Sequence, residues 1–419
     1  MVPNGWEQIR LNDVTEFITS GSRDWAKFYS DCGSKFVRMT NLSRDSIYLK
    51  LDDMKYVDVS SKSADGKRTS LSAGDVLMSI TAELGKIGWI PENFGEAYIN
   101  QHTALIRLND KQANSQYIAY LLSSKAMNHR INKLNDSGAK AGLNLPTIRS
   151  IYINLPPLPE QRKIAQILST WDKAISTTEK LIDASKQQKK ALMQQLLTGK
   201  KRLVDPKTGK AFEGKWVQGK LEDIAVIDSG FAFKSTSFVQ DDENSVPIIR
   251  MSDFKSGGLD VKEAARVSIE TVNGLDKFRL HVSDFVFGMS GSLSNYGWVK
   301  DQDIPCYLNQ RVGRIRSKAM AIQNFVTYLY LSEKVQQNIL DKAAGAAQLN
   351  ISVTDLRVMA ISYPSVEEQQ KIASVLTSAD KEIELLEAKL AHFKQEKKAL
   401  MQQLLTGKRR VKVAEAEAA

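Results

Sequence analysis

The stretch that comes nearest to a catalytic motif is Asn154-Leu155-Pro156-Pro157-Leu158. An Asn or Asp followed by two prolines and an aromatic holds an amino group for methyl transfer. Here a Leu is inserted and the aromatic is missing, so the prolines read better as the start of a helix. Gly85-Lys86 and Gly199-Lys200 lack the Gly-x4-Gly-Lys frame, followed by Ser or Thr, that cradles phosphate. His102, His129, His281 and His392 stand far apart, with no metal-ligand spacing. The 2 cysteines, Cys32 and Cys306, are too few for a disulfide framework or a Cys-rich metal site and fit a reducing compartment. No catalytic or metal site is therefore expected, although scattered carboxylates could still assemble in three dimensions.

The chemistry these residues do support is binding of a polyanion. The 58 Lys and Arg against 48 Asp and Glu leave a formal charge of +10, which favours a partner such as nucleic acid. Base edges in the major groove are read by Arg or Lys on guanine and by Asn or Gln on adenine, while Lys, Ser and Thr hold phosphates. In the N-terminal half, Arg23, Lys27, Arg38, Thr40, Asn41, Lys67, Arg68, Lys86, Gln101 and His102 have such side chains on polar turns. In the C-terminal half, Lys234, Arg250, Ser252, Lys255, Arg279, Ser292, Asn295, Tyr296, Gln310 and Arg311 take comparable places. For any one of them the alternative is a solvated surface group, and for Asn100 and Asn309 a turn residue bonded to its own backbone.

The elements that must position these residues are written twice. KKALMQQLLTGK at 189–200 recurs letter for letter at 397–408, an offset of 208 (397 − 189). At the same offset, EQRKIAQIL from Glu160 aligns with EQQKIASVL from Glu368. Ile99-Asn100-Gln101 answers Leu308-Asn309-Gln310, Gly88-Trp89-Ile90 answers Gly297-Trp298-Val299, and Trp6 answers Trp216. Segments 1–155 and 204–363 otherwise keep only scattered landmarks. Nearly interchangeable helices beside divergent domains suggest one face that meets the same partner twice and another that meets two different ones.

The divergent segments carry short apolar runs, Val76–Ile80 and Ala104–Leu108, bounded by Gly, Asp and Asn, which predict strands and turns. Each segment then closes with a helical stretch, Asn114–Leu134 and Gln323–Leu340. An α+β domain of roughly 150 residues in each half is expected. In the similar segments, Ile164, Leu168, Trp171, Ile175, Ile182, Leu192 and Leu196 follow the spacing of a coiled coil. Ile372, Leu376, Ala379, Ile383, Leu386, Leu390, Phe393, Leu400 and Leu404 do the same in the second copy. Prolines 156, 157 and 159 suit the first helix start, and Gly199 and Gly407 suit left-handed stops. Each helix should be about 40 residues, roughly 60 Å long at 1.5 Å per residue. An antiparallel pair would give the chain pseudo-twofold symmetry and act as a spacer. Lys200, Lys201, Arg202 and Lys408, Arg409, Arg410 follow the helix ends, where they either neutralise the helix dipole or touch DNA.

With PPLPEQRKIAQIL and PSVEEQQKIASVL each followed by KKALMQQLLTGK, the chain resembles the specificity subunits of Type I restriction-modification systems. GDVLMSITAELGKIGWI with INQHTALIRL, Gly74 to Leu108, looks like their first target-recognition domain. The second copy, Ser283 to Arg316, departs more, with Ser-Asn-Tyr where the first has Gly-Lys-Ile. The resemblance implies target-recognition domains at 1–155 and 204–363, long-helix spacers at 156–203 and 364–410, and a tail at 411–419. It also implies a non-catalytic subunit that reads a bipartite double-stranded DNA site and docks two methyltransferase and two restriction/translocase subunits. S-adenosylmethionine, ATP and Mg²⁺ would then belong to those partners and none to this chain. Two readers on one face of a duplex predict half-sites about one helical turn, roughly 10 bp, apart.

The rival reading is a coiled-coil adaptor that binds no specific DNA; a fused methyltransferase or nuclease has no supporting motif. No stretch approaches the roughly 18 apolar residues of a membrane span, and the N-terminus shows no leader, so a cytoplasmic protein is expected. Exposed apolar stripes predict self-association of the isolated chain.

Overall fold

The computed structural model describes residues 2–22, 25–59, 64–134, 142–240, 243–255, 257–344 and 349–413. The chain divides into two compact units, one built from Met1–Glu179 with Ala388–Ala419 and the other from Lys180–Glu387. Each is a mixed helix and sheet body built on the same plan.

In the first unit, an antiparallel sheet of 4 strands has the spatial order Thr15–Ser20, Thr103–Leu108, Val76–Ser79, Ile87–Trp89. A second sheet of 4 runs Tyr29–Ser30, Lys55–Val57, Ser34–Val37, Ala97–Ile99, its last pair parallel. Glu7–Arg10 pairs with Tyr152–Leu155 and ties the start of the chain to the residues before the central long helix. The second unit repeats this: Ala225–Ser229, Val312–Ser317, Phe285–Gly288, Tyr296–Trp298; then Phe238–Val239, Arg266–Ser268, Ser245–Ile249, Tyr307–Leu308; and Val217–Lys220 with Ala360–Tyr363. It adds a short hairpin, Phe254–Lys255 with Gly258–Leu259.

Both predicted strand runs are strands. The helical stretches differ from expectation, because each is broken in two: Ser115–Ser123 and Lys125–Lys133, then Gln323–Leu331 and Glu333–Ala343. The cause is a serine at each break. Ser124 and Ser332 leave the helical conformation, and their hydroxyls accept the backbone N–H of Met127 and Val335 as N-caps of the second piece.

The long helices are Leu158–Leu196 and Val366–Leu404, 39 residues each. Every residue of the two predicted stripes is buried or half-buried. Gly199 (φ 70°) and Gly407 (φ 68°) end the helices in the left-handed conformation, as expected. Within the first unit, the early part of the central helix pairs antiparallel with the late part of the C-terminal helix: Asp172 with Lys397 at 2.6 Å, Glu179 with Lys394 at 2.8 Å, and Trp171 edge-on to Phe393. Within the second, the late central helix pairs with the early C-terminal helix through Lys189–Asp380 at 2.5 Å and Lys186–Glu387 at 2.7 Å.

This exchange explains why the repeated dodecamer is identical. Leu404 and Leu405 complete the first unit's core with Tyr117, Tyr120, Ile164 and Leu168, and Leu196 and Leu197 complete the second unit's core with Phe325, Tyr328, Ile372 and Leu376. Two of the helix-end arginines have a further role that the sequence did not suggest. Arg410 makes a bidentate pair with Glu160 (2.7 and 2.7 Å) and Arg202 one with Glu368 (2.6 and 2.7 Å), each across to the start of the opposite helix. The neighbouring glutamines, Gln161 and Gln369, accept the backbone N–H of Asn114 and Ile322. Identity at Lys189, Glu160 and Gln161 thus has an internal cause, Lys189 holding Asp380 as its copy Lys397 holds Asp172; Gln194 donates to Glu333. Among the described residues no helix is long and apolar enough to cross a membrane.

Candidate nucleic-acid interface

In each unit the candidate residues hang on a backbone frame set by one glycine. Thr15–Ser20 runs into Gly21 and Ala225–Ser229 into Gly230. A Cβ on Gly21 would lie 2.1 Å from the Asn100 carbonyl, and one on Gly230 would lie 2.0 Å from the Leu308 oxygen. Only glycine lets these backbones meet. The turn opposite is fixed by an asparagine: Asn100 Oδ1 accepts the His102 N–H at 3.2 Å, and Asn309 Oδ1 the Arg311 N–H at 3.5 Å. The carbonyl of His102 accepts Ile80 N–H (3.0 Å) and that of Arg311 accepts Met289 N–H (3.1 Å). His102 and Arg311 therefore occupy the same place on two clamped turns.

Beside each turn stands a second one that our sequence reading named only in part. Arg38-Met39-Thr40-Asn41 and Arg250-Met251-Ser252-Asp253 are one tetrapeptide pattern, repeated 212 positions later (250 − 38). Each follows a parallel strand and forms a short helical turn, capped when the arginine N–H donates to Asn41 Oδ1 (2.9 Å) or Asp253 Oδ2 (2.8 Å). The repeat was the signal that could have paired these sites and revealed Met39 and Met251 as members.

The frames match; their fillings do not. In the first unit, Arg38 Nη2 donates to the Asp53 carboxylate and carbonyl, each at 2.8 Å. The Asp53 carboxyl is held below its ordinary range by hydrogen bonds from Arg38 and then Lys55. Asn41 is buried, and its amide is committed to the Arg38 N–H and the Lys50 carbonyl. His102 is hydrogen-bonded to Thr81 and lies 3.1 Å from the Gln101 amide. In the second unit, Arg250, Met251, Ser252, Ser290, Asn309 and Arg311 line a cleft of about 380 Å³. Arg250 stands 3.7 Å from Asp253, with its guanidinium 5.7 Å from the centre of the Phe238 ring.

The remaining expectations scatter. Arg23 lies outside the described residues. Lys27, Thr40 and Lys67 are exposed, Lys27 over the Phe28 ring. Arg68 donates to the Ser20 carbonyl (2.7 Å) and Ser22 Oγ (2.5 Å), and Lys86 pairs with Glu83. In the second unit, Lys234, Arg279 and Gln310 are exposed. Lys255 pairs with Asp260, Ser252 donates to Asp253 (2.7 Å), and Ser292 donates to Asn295 (3.0 Å). Tyr296 is half-buried against Phe285 and Trp298, and burial pushes its phenol up. Arg38, Thr40, Asn41, Gln101 and His102 on one frame, and Arg250, Ser252, Gln310 and Arg311 on the other, are the candidates that the fold gathers. Among the described residues no group of His, Cys, Asp and Glu could hold a metal ion.

A family model described as the Type I restriction modification DNA specificity domain matches residues 3–186 and again 213–395. The chain is 28% identical to the Type I restriction enzyme MjaVIII specificity subunit of Methanocaldococcus jannaschii, over 98% of this chain and 94% of that one. Its fold is similar to the crystal structure of a Type I restriction-modification S subunit from M. genitalium (TM-score 0.60, 13% identity, 96% and 99% of the two chains). It is also similar to a chain from a structural study of complex assembly and conformational transition of the type I R-M system (TM-score 0.58, 17% identity, 98% and 100%).

Proposed function

Because the chain belongs to the family of the Type I restriction modification DNA specificity domain, we propose that it reads a bipartite DNA site, one half with each unit, and brings methyltransferase and restriction subunits to it. The observation that carries this reading is the doubled frame with unlike fillings. Both units clamp the same two turns, yet one carries His102 and a neutralised Arg38, the other Arg311 and Arg250. Two readers of different sequences need that combination, since a rigid backbone sets the register while the side chains choose the bases.

The chain supplies recognition, and the reactions belong to its partners. Methyl transfer takes the base out of the stack into the methyltransferase's pocket, so the reader needs no catalytic group of its own. S-adenosylmethionine, ATP and Mg²⁺ serve those subunits, two of each kind in the complete complex, in the cytoplasm. The predicted stripes themselves are buried or half-buried, so docking partners, or a second copy in their absence, would meet single exposed residues such as Leu181 and Leu385 on the long helices and not a continuous stripe.

The test is methylome sequencing of a host that carries this chain with its methyltransferase partner, beside the same host with residues 204–363 exchanged for another recognition domain. Methyladenine at one bipartite motif, with only one half rewritten by the exchange, is the expected result. No bipartite motif despite a functional partner would move the adaptor reading to the front.

A further inference from the structure

We infer that the second unit selects a guanine in its half-site through Arg311 and Arg250, and that the first unit makes no such selection at the equivalent place. The inference rests on the DNA-reading function above and adds the base and the residues.

Arg311 projects from a backbone held on both sides, its N–H on Asn309 and its carbonyl on Met289. Its side chain is exposed and lines the cleft. Arg250 lines the same cleft; its Nε is buried 3.7 Å from a carboxylate oxygen of Asp253, and its terminal nitrogens make no hydrogen bond among the described residues. Both oxygens of Asp253 are already engaged, by the Arg250 N–H and by the Ser252 hydroxyl. Two guanidinium groups with donors to spare, on fixed backbone, match the paired acceptors O6 and N7 that guanine alone presents in the major groove. The lining favours a base edge over a phosphate: apolar Met251 and the amide of Asn309 stand beside the arginines, no lysine is among the lining residues, and the Asp253 carboxylate close to Arg250 would repel a second anion.

The first unit shows the contrast on the same frame. Arg38 likewise leaves a buried Nε without a hydrogen bond, but its outer nitrogen Nη2 is spent on Asp53, and the place of Arg311 is taken by His102, itself bonded to Thr81. Among the described residues no pair of arginines meets there.

The experiment is the methylome of the full complex with wild-type chain, Arg311→Ala, Arg250→Ala and Arg311→Lys, each checked for co-purification with the methyltransferase subunit. The half-site assigned to the second unit by domain exchange should contain a guanine on one strand. Arg311→Ala should relax that single position on the order of tenfold or more, leaving the other half-site unchanged. Arg311→Lys keeps the charge and removes the planar fork, so it should assemble and still lose selectivity. Unchanged letters in all variants, or methylation that falls evenly at every site with its letters kept, would overturn the assignment and make these arginines phosphate contacts or structural groups. Absence of any bipartite motif with the wild-type chain would instead overturn the function on which it rests.

Discussion

The ion pair between Arg202 and Glu368 offers a sharp test of how the repeat holds each unit together. Glu368 is 1% exposed, and Arg202 reaches it with two charge-assisted bonds of 2.6 and 2.7 Å while also donating to the Gly214 carbonyl at 2.8 Å. Removing the two partners should not cost the same. Arg202→Ala leaves a buried carboxylate without its ion-pair partner, a loss of about 3 kcal/mol or more. Glu368→Ala leaves a guanidinium that is 24% exposed and can regain water, so the loss should be nearer 2 kcal/mol, the scale of a hydrogen bond to a charged group. The double variant should show a coupling of about 2 kcal/mol. At about 1.4 kcal/mol per factor of ten, Arg202→Ala should speed amide exchange in the buried helix Gln323–Leu331 on the order of a hundredfold, wherever exchange needs the unit to open. Exchange in Ser115–Ser123 should stay unchanged, because that helix belongs to the other unit, where Glu160 and Arg410 make the matching pair. Equal effects from the two single variants, no coupling, or acceleration spread evenly over both helices would refute the reasoning.

Gly230→Ala should lower the stability of the second unit by several kcal/mol, because the new methyl would lie about 2 Å from the Leu308 carbonyl; circular dichroism melting measures it against Gly258→Ala, whose methyl would meet nothing closer than the Lys255 carbonyl oxygen at 3.6 Å. Of the two thiols, exposed Cys32 should react promptly with a disulfide reagent, whereas Cys306, buried and with its thiol pushed up to about 12, should react only on unfolding; a count of two fast thiols would contradict its place in the core. Burial raises the phenols of Tyr117, Tyr120, Tyr328 and Tyr330, and burial with a bond to Glu96 raises Tyr98 to about 12. Groups raised in the folded state contribute stability that is complete below their unfolded value near 10 and is lost as pH climbs above it, so ultraviolet titration should show these phenolates appearing together with alkaline unfolding, not before it.

The sequence alone settled the duplication and the two long helices, because those depend on local periodicity and on repeated letters, and its helix entries carried the resemblance to the family. Apolar spacing over 39 residues leaves a helix little choice of face. A proline start and a glycine stop act within a few residues of themselves. It also placed the candidate readers in the divergent halves, since an exact repeat cannot read two different half-sites. What it could not show was which copy of a repeated segment packs on which domain. KKALMQQLLTGK reads the same in both places, and only the fold puts residues 397–408 with the first unit and 189–200 with the second. That exchange turned Arg202 and Arg410 from free cations into partners of Glu368 and Glu160, some 166 and 250 positions away. The same holds at the interface. Asn41 and Arg250 look alike on a polar turn, but one is buried and bonded while the other lines a cleft. Hydrogen bonding and burial depend on neighbours remote along the chain, so residue type proposes a role, and tertiary structure decides whether the group has any bonds left to offer.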